Sequence, residues 1–336
     1  MKAIVLAAPG RLEMRDVPLP EPRAGQVRVR TAACGICATD LVMIAGAPRV
    51  RCPAVLGHEW SGVVEAVGPG VDAALVGRPC VAENVLADGG EVGFEHPGGY
   101  GEFVVTEAKN LHALPDGFDM AAATLIEPLA VCVRGMRRLN LADKRSALVL
   151  GDGPVGLLAL ALLVRAGVAH VLLVGGRRGR LTLARELGAW AVINYHEVAG
   201  DLAEGISRMA GRSFPNVIEA SGSAAAMEAA LELATPGGKV LVLGDYGDAR
   251  AAFAWNRLLH RELELIGSNA SAGAWPEAVR LATDPPSRRS PAAGEGPGLP
   301  LARLVSARYP AARFEEAVAR VRDRRRDAVK VVLEWT

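Results

Sequence analysis

The chain has 336 residues, half of them hydrophobic, with 38 basic and 37 acidic side chains and a net charge of +1. That length and apolar content allow a large buried core and suggest two domains. The balanced charge argues against a polyanion as main partner, so no nucleic-acid partner is expected. The one basic tract, "RVRDRRRDAVK" at 320–330, is broken by acidic residues and fits a solvated helix face.

Five cysteines, an odd number in a long chain, do not make a disulfide framework. They indicate a reducing, cytoplasmic setting, with some of them metal ligands or core residues. The N-terminus "MKAIVLAAPG" reads as a strand ending at Pro9-Gly10 rather than as a signal peptide. The longest apolar run, "VGLLALALLV" at 155–164, is half the ~20 residues that a membrane span needs, so no membrane partner is expected.

In chain order, the first 126 residues or so look β-rich. Short runs such as "KAIVL", "QVRVRTAA", "SGVVEAVG" and "GEFVVT" are separated by Gly and Pro. From 147 to about 269 the pattern changes to alternation. Apolar strands "ALVLG", "HVLLVG", "NVIEA" and "KVLVLG" alternate with helical stretches such as "PVGLLALALLVRAG", "RLTLARELG" and "AAMEAALELA". Such alternation predicts βαβ units and a parallel, doubly wound α/β sheet. Residues 283–300 are rich in Pro, Gly and Ser and read as a linker or mobile loop. A helix "FEEAVARVRDRR" and a closing strand "AVKVVLEW" follow.

"CGICATD" at 34–40, "GHEWSG" at 57–62 and "IEPL" at 126–129 supply Cys, His and Glu, each able to ligate zinc. Singly each has a plainer reading: a small core cysteine, a structural histidine, a helix-starting glutamate. Together, ahead of a dinucleotide fold, they are far more specific.

"GDGPVG" places Gly151, Gly153 and Gly156 in the G-x-G-x-x-G spacing, after a strand and before a helix. The first glycine permits the tight turn, the second lets a pyrophosphate approach, and the third lets helix and strand pack. Pro154, Val155 and Gly156 open the helix whose positive N-terminus receives the phosphates. In such units an acidic residue at the end of the second strand holds the ribose 2′-hydroxyl. Here "VLLVGGRRGRL" at 171–181 has Gly175 and Gly176 in that place, followed by Arg177 and Arg178. Removal of the carboxylate and addition of guanidinium donors suit a 2′-phosphate, so NADP(H) is favoured over NAD(H). The plainer alternative makes these arginines solvated loop charges; Arg180, on the next helix, is the weaker candidate.

With these motifs and the ending "DAVKVVLEW", the chain resembles the zinc-dependent medium-chain dehydrogenase/reductase family, the alcohol and polyol dehydrogenases. The resemblance covers nearly the whole chain. It implies a GroES-like, β-rich catalytic domain over residues 1–128 and 270–336, and a Rossmann domain over 129–269. By resemblance Cys37, His58 and Glu127 are zinc ligands. Glu59 can replace or exchange with another ligand, and Thr39 touches the substrate hydroxyl and starts the proton relay. A thiolate, a carboxylate and a neutral imidazole offset the zinc charge and bring ionisation of a bound hydroxyl toward neutral pH. Cys34 aligns with a common non-ligand cysteine.

Two departures from the family pattern stand out. The region 80–103, where many members hold a structural zinc with four cysteines, contains only Cys80, so one catalytic zinc and no structural zinc is expected. Val42 stands where a relay histidine is common, and His96 reads as a loop histidine that could face the cleft. The expected activity is interconversion of a secondary alcohol, of polyol, sugar or cyclitol type, and its ketone. The expected assembly is a homodimer or homotetramer, with "ELELIGS" at 262–268 as candidate contact. The alternatives are a zinc-free NADPH quinone or enoyl reductase of the same superfamily, and a non-enzymatic NADPH-binding protein.

Overall fold

The computed structural model describes residues 1–252, 254–284, 299–323 and 327–335. The proline- and glycine-rich stretch expected as a linker falls almost wholly outside the described residues. The described residues form two compact units: Met1–Glu127 with Trp275–Asp284 and the residues from Pro300 on, and Pro128–Ala274 with Leu299.

The first unit is built largely of strands. They are β1 (Lys2–Ala8), β2 (Arg11–Asp16), β3 (Gln26–Ile36), β4 (Ala54–Val55), β5 (Glu59–Val67), β6 (Pro79–Ala82), β7 (Phe103–Glu107) and β8 (Leu111–Ala113). Helices α1 (Ala38–Ile44) and α2 (Met120–Ala123) accompany them, and α3 (Ile126–Leu139) starts at the end of this unit and belongs mostly to the second. Strand β3 is the spine. Its first half, from Gln26 to Arg30, pairs with β7, and its last residues reach the C-terminal strand. Its apolar residues Val27, Val29, Cys34 and Ile36 lie in one core with Ile4, Leu6, Leu56, Trp60 and Tyr100.

The second unit carries the alternation expected from the sequence. Strand β9 (Ser146–Leu150) leads to helix α4 (Pro154–Arg165), β10 (His170–Gly175) to α5 (Arg178–Glu186), and β11 (Ala191–Asn194) to α6 (Leu202–Ala210). Then come β12 (Phe214–Glu219), α7 (Ala224–Leu233), β13 (Ala234–Val242), α8 (Trp255–His260) and β14 (Glu264–Gly267). The six strands pair in parallel in the order β11-β10-β9-β12-β13-β14, which reverses direction at β9 and β12. That is the doubly wound dinucleotide-binding order, with its ligand site at the carboxyl ends of the central strands. All five residues of β9 and eight residues of α4 are buried, as a strand and helix covered on both sides require.

The chain returns to the first unit with α9 (Trp275–Thr283), β15 (Val305–Pro310), α10 (Phe314–Arg322) and β16 (Lys330–Glu334). Strand β16 pairs antiparallel with β3, Val331 opposite Ile36 and Glu334 opposite Ala33, and thereby brings Lys330 to the end of β3. Among the described residues, no helix is long and apolar enough to cross a membrane.

Candidate active site

Cys37 caps α1. Its amide donates to Asp40 Oδ2 at 2.8 Å, which makes Asp40 the acidic partner of a capping box. Asp40 is fully buried and does more than cap. Its Oδ2 also accepts from the Tyr100 hydroxyl at 3.2 Å, and its Oδ1 lies 3.2 Å from His58 Nδ1. A carboxylate behind Nδ1 orients the ring and leaves Nε2 for a ligand.

His58 and Glu59 are delivered by the turn into β5. Gly57 there has φ +98°, and a Cβ would lie 2.5 Å from the Tyr100 ring and 2.8 Å from Cys34 Sγ, so only glycine fits. Burial alone would pull the His58 imidazolium down. The Asp40 carboxylate and then the Cys37 sulfur more than offset it and hold the imidazole well above the usual histidine range.

The donor atoms of Cys37, His58 and Glu59 all lie within 4.8 Å of one another, and His58 and Glu59 are buried. A thiol, an imidazole braced by a carboxylate and a second carboxylate form a donor set that fits zinc. Glu127, which resemblance assigned as the third ligand, is not in that group; Glu59 is. Glu127 stands in the first turn of α3. Burial, reinforced by the negative charges of Glu59 and Glu91 against the pull of His58 and Lys330, pushes its carboxyl up to about 7. Glu59 in turn is bonded through both oxygens to Lys330, an ion pair with no signal in the local sequence. Thr39 Oγ1 lies 3.6 Å from Cys37 Sγ, so the expected relay residue is beside the donor set.

The region 80–103 is tied together by side-chain contacts. Cys80 is buried in β6, where desolvation pushes its thiol up to about 12. Arg49 ties this region down, 3.1 Å from Glu91 and 2.8 Å from Glu95, with its guanidinium 4.1 Å above Phe94. Phe94 stacks on the His58 ring at 4.7 Å, and Asn84 Nδ2 donates to His58 O at 2.7 Å. His96 pairs with Asp88 at 2.9 Å, a loop histidine. Val42 is exposed, while Trp60 and Trp275 are core residues, the latter stacked on His112.

In the second unit the three glycines of the turn behave differently from one another. Gly151 has φ +119°, and a Cβ would meet the Ala220–Ser221 backbone at about 3 Å. A Cβ on Gly156 would overlap Gly151 O, whereas Gly153 has open space around it. Those are the conditions for a tight turn, a close helix–strand contact and a path for an incoming phosphate, so the turn fits a dinucleotide. Pro154 and Val155 open α4 just behind it.

At the end of β10 a side chain from another segment arrives. Gly175 and Gly176 do remove the strand's own side chains, but the carboxylate of Asp152, from the glycine turn, lies in the space they leave. Arg177 Nη1 is 3.4 Å and Arg180 Nη1 3.5 Å from Asp152 Oδ1, and both guanidinia are well covered. Arg178 is exposed in the first turn of α5. Arg180, one helical turn past Arg177, thus shares the Asp152 carboxylate with it. Gly176 is overlaid by the Tyr195 ring, whose Cε1 would lie 2.5 Å from a Cβ there. Asp152 and Tyr195 were not legible as site residues, because their approach depends on strand order.

Residues 23–116 match the family described as "Alcohol dehydrogenase GroES-like domain", and residues 154–284 match "Zinc-binding dehydrogenase". The chain is 30% identical to the D-altritol 5-dehydrogenase of Agrobacterium fabrum, over 92% of this chain and 93% of that protein. It is 28% identical to the D-arabitol-phosphate dehydrogenase of Enterococcus avium, over 99% and 97%. The crystal structure of a zinc-binding dehydrogenase of Sinorhizobium meliloti bound to NADP superposes with a TM-score of 0.88 at 26% identity, covering 99% of this chain and 98% of that one. The chain belongs to the zinc-dependent medium-chain dehydrogenase/reductase family and is a nicotinamide-dependent alcohol–ketone oxidoreductase.

Proposed function

We propose that the chain is a cytoplasmic, zinc-dependent, NADP(H)-linked dehydrogenase of a secondary alcohol of polyol, sugar or cyclitol type, working as a homodimer or homotetramer. Residues 1–128 and 270–336 serve as catalytic domain and 129–269 as cofactor domain. The observation that carries the reading is the convergence of Cys37, His58 and Glu59 donors within 4.8 Å, with Asp40 behind His58. A zinc-free reductase would have no use for that braced set. The sugar-alcohol class is supported by the altritol and arabitol-phosphate dehydrogenases among its relatives.

Cys37 and His58 would hold one zinc per chain, with Glu59 or Glu127 as the third ligand. Zinc supplies a Lewis acid for the substrate oxygen, and the nicotinamide carries the hydride. The residues of the chain position and shuttle. Asp40 fixes the His58 ring, and Thr39 would accept the hydroxyl proton of the alcohol as it passes its own on along the relay, and in reduction would deliver a proton to the substrate oxygen in the same way. Lys330 bonds both oxygens of Glu59, and Arg49 ties Glu91 and Glu95 together. In the second unit, Gly151, Gly153 and Gly156 admit the pyrophosphate, and Arg177 with Arg178 or Arg180 offers donors to a 2′-phosphate.

Two measurements test this. The purified chain should contain one zinc, and Cys37→Ser should lose zinc and turnover of a polyol panel while its circular dichroism is retained. Full activity of that variant would remove the zinc mechanism. NADPH should bind more tightly than NADH in a fluorescence titration, with the difference reduced by Arg177→Ala; equal affinities would remove the NADP(H) assignment.

A further inference from the structure

Asp152 is the second residue of the glycine turn, a position for which the dinucleotide fingerprint makes no demand. In this fold its side chain turns toward the end of β10. A Cβ at Gly175 would stand 2.5 Å from Asp152 Cβ and 2.7 Å from its Oδ2, so the two side chains compete for one space. Oδ2 accepts the amides of Gly176 and Arg177, each at 2.9 Å. Oδ1 faces the guanidinia of Arg177 and Arg180 at 3.4 and 3.5 Å. These last contacts are long beside the roughly 2.8 Å of a directed charge-assisted bond. The Asp152 side chain is 8% exposed.

The place is the one from which a strand-end carboxylate reads the ribose 2′-hydroxyl. Asp152 returns a negative charge to it from another part of the chain. The two guanidinia that would meet a phosphate dianion already face this carboxylate. The carboxylate both engages those guanidinia and repels the dianion.

We infer that Asp152 is the specificity-determining residue of the adenosine end of this site, a carboxylate that restrains Arg177 and Arg180 and limits how far the site prefers NADP(H) over NAD(H). The inference rests on the NADP(H) reading only for which cofactor the unaltered chain prefers. The effect of Asp152 on the ratio of affinities is independent of that starting point.

The experiment is a fluorescence titration of NADPH and of NADH into the unaltered chain and into Asp152→Asn, at one ionic strength. Asparagine keeps an oxygen for the two amides and removes the charge. NADPH should tighten by about tenfold, as expected for deleting one like charge a few ångströms from a dianion, while NADH stays within about twofold. NADPH affinity unchanged or weakened relative to NADH would overturn the inference and make Asp152 a brace for the turn. If Asp152→Asn lowers the melting temperature and binds neither cofactor, the paired variant Asp152→Gly with Gly175→Asp decides, since glycine at 152 removes the Cβ that a side chain at 175 would meet. It moves the carboxylate onto the strand and should bind NADH and reject NADPH; equal binding of both would overturn the inference. An unaltered chain that prefers NADH, insensitive to Arg177→Ala, would remove the NADP(H) reading and leave the effect of Asp152→Asn as the measure of this one.

Discussion

Lys330 Nζ lies 2.7 Å from one oxygen of Glu59 and 2.5 Å from the other, although 271 residues separate them in the chain. Both side chains are almost fully buried, at 2% and 1% exposure. Neither charge could be buried alone at tolerable cost; each makes the other admissible.

Lys330→Met should therefore destabilise the chain by about 3–5 kcal/mol near neutral pH, because it strands the Glu59 carboxylate in the interior. Burial pulls the Lys330 ammonium down, but Glu59 and then Cys37 overcome it, and the net direction is upward. With the folded value raised, the stabilisation is complete below the ordinary lysine value of about 10.4 and is lost as pH rises through the folded one. Urea titrations at pH 8 and above pH 10.5 should show the gap between unaltered chain and variant shrinking. A constant gap would remove the ion-pair account.

Glu127 gives a pH dependence of opposite character. Its carboxyl is raised to about 7 in the fold, chiefly by burial, against an ordinary value near 4.3. Between those values the folded metal-free chain holds a proton that the unfolded chain has lost, so stability falls as pH rises through that window and levels off above it. Glu127→Gln should abolish the fall in the zinc-stripped protein. The same variant should leave zinc content intact if Glu59 is the third ligand and deplete it if Glu127 is.

Asp40→Asn should weaken zinc about 10- to 100-fold, with the fold retained, since it removes the negative partner of His58 Nδ1 without changing side-chain volume. Competition with a chelating dye reads this directly. Unchanged affinity would reduce Asp40 to a helix cap.

The glycine turn offers a matched pair. Gly156→Ala forces a methyl group into Gly151 O and should lower both melting temperature and cofactor affinity. Gly153→Ala meets nothing within 4 Å and sits at an ordinary negative φ, so its melting temperature should hardly move. Its cofactor affinity should nonetheless fall at least tenfold, because the methyl group stands in the open space by which a phosphate would approach. Loss of stability in Gly153→Ala would contradict this division of roles.

Sequence by itself determined the parts governed by local periodicity and spacing. Alternating apolar strands and helices required the parallel sheet of Ser146–Gly267, and G-x-G-x-x-G between strand and helix required the turn at Gly151–Gly156. "CGICATD" and "GHEWSG" placed Cys37, His58 and Glu59, since a helix start and a strand start act within a few residues. Tertiary structure alone decided what meets across the chain. That Glu59 lies within 4.8 Å of the Cys37 and His58 donors, that Lys330 pairs with Glu59, that Phe94 stacks on His58, and that Asp152 occupies the space left at Gly175 all depend on strand order and register. Periodicity says which face of an element is buried; which distant side chain arrives there is set by the packing of the whole unit, where an unpaired buried charge or an unfilled space costs too much to remain.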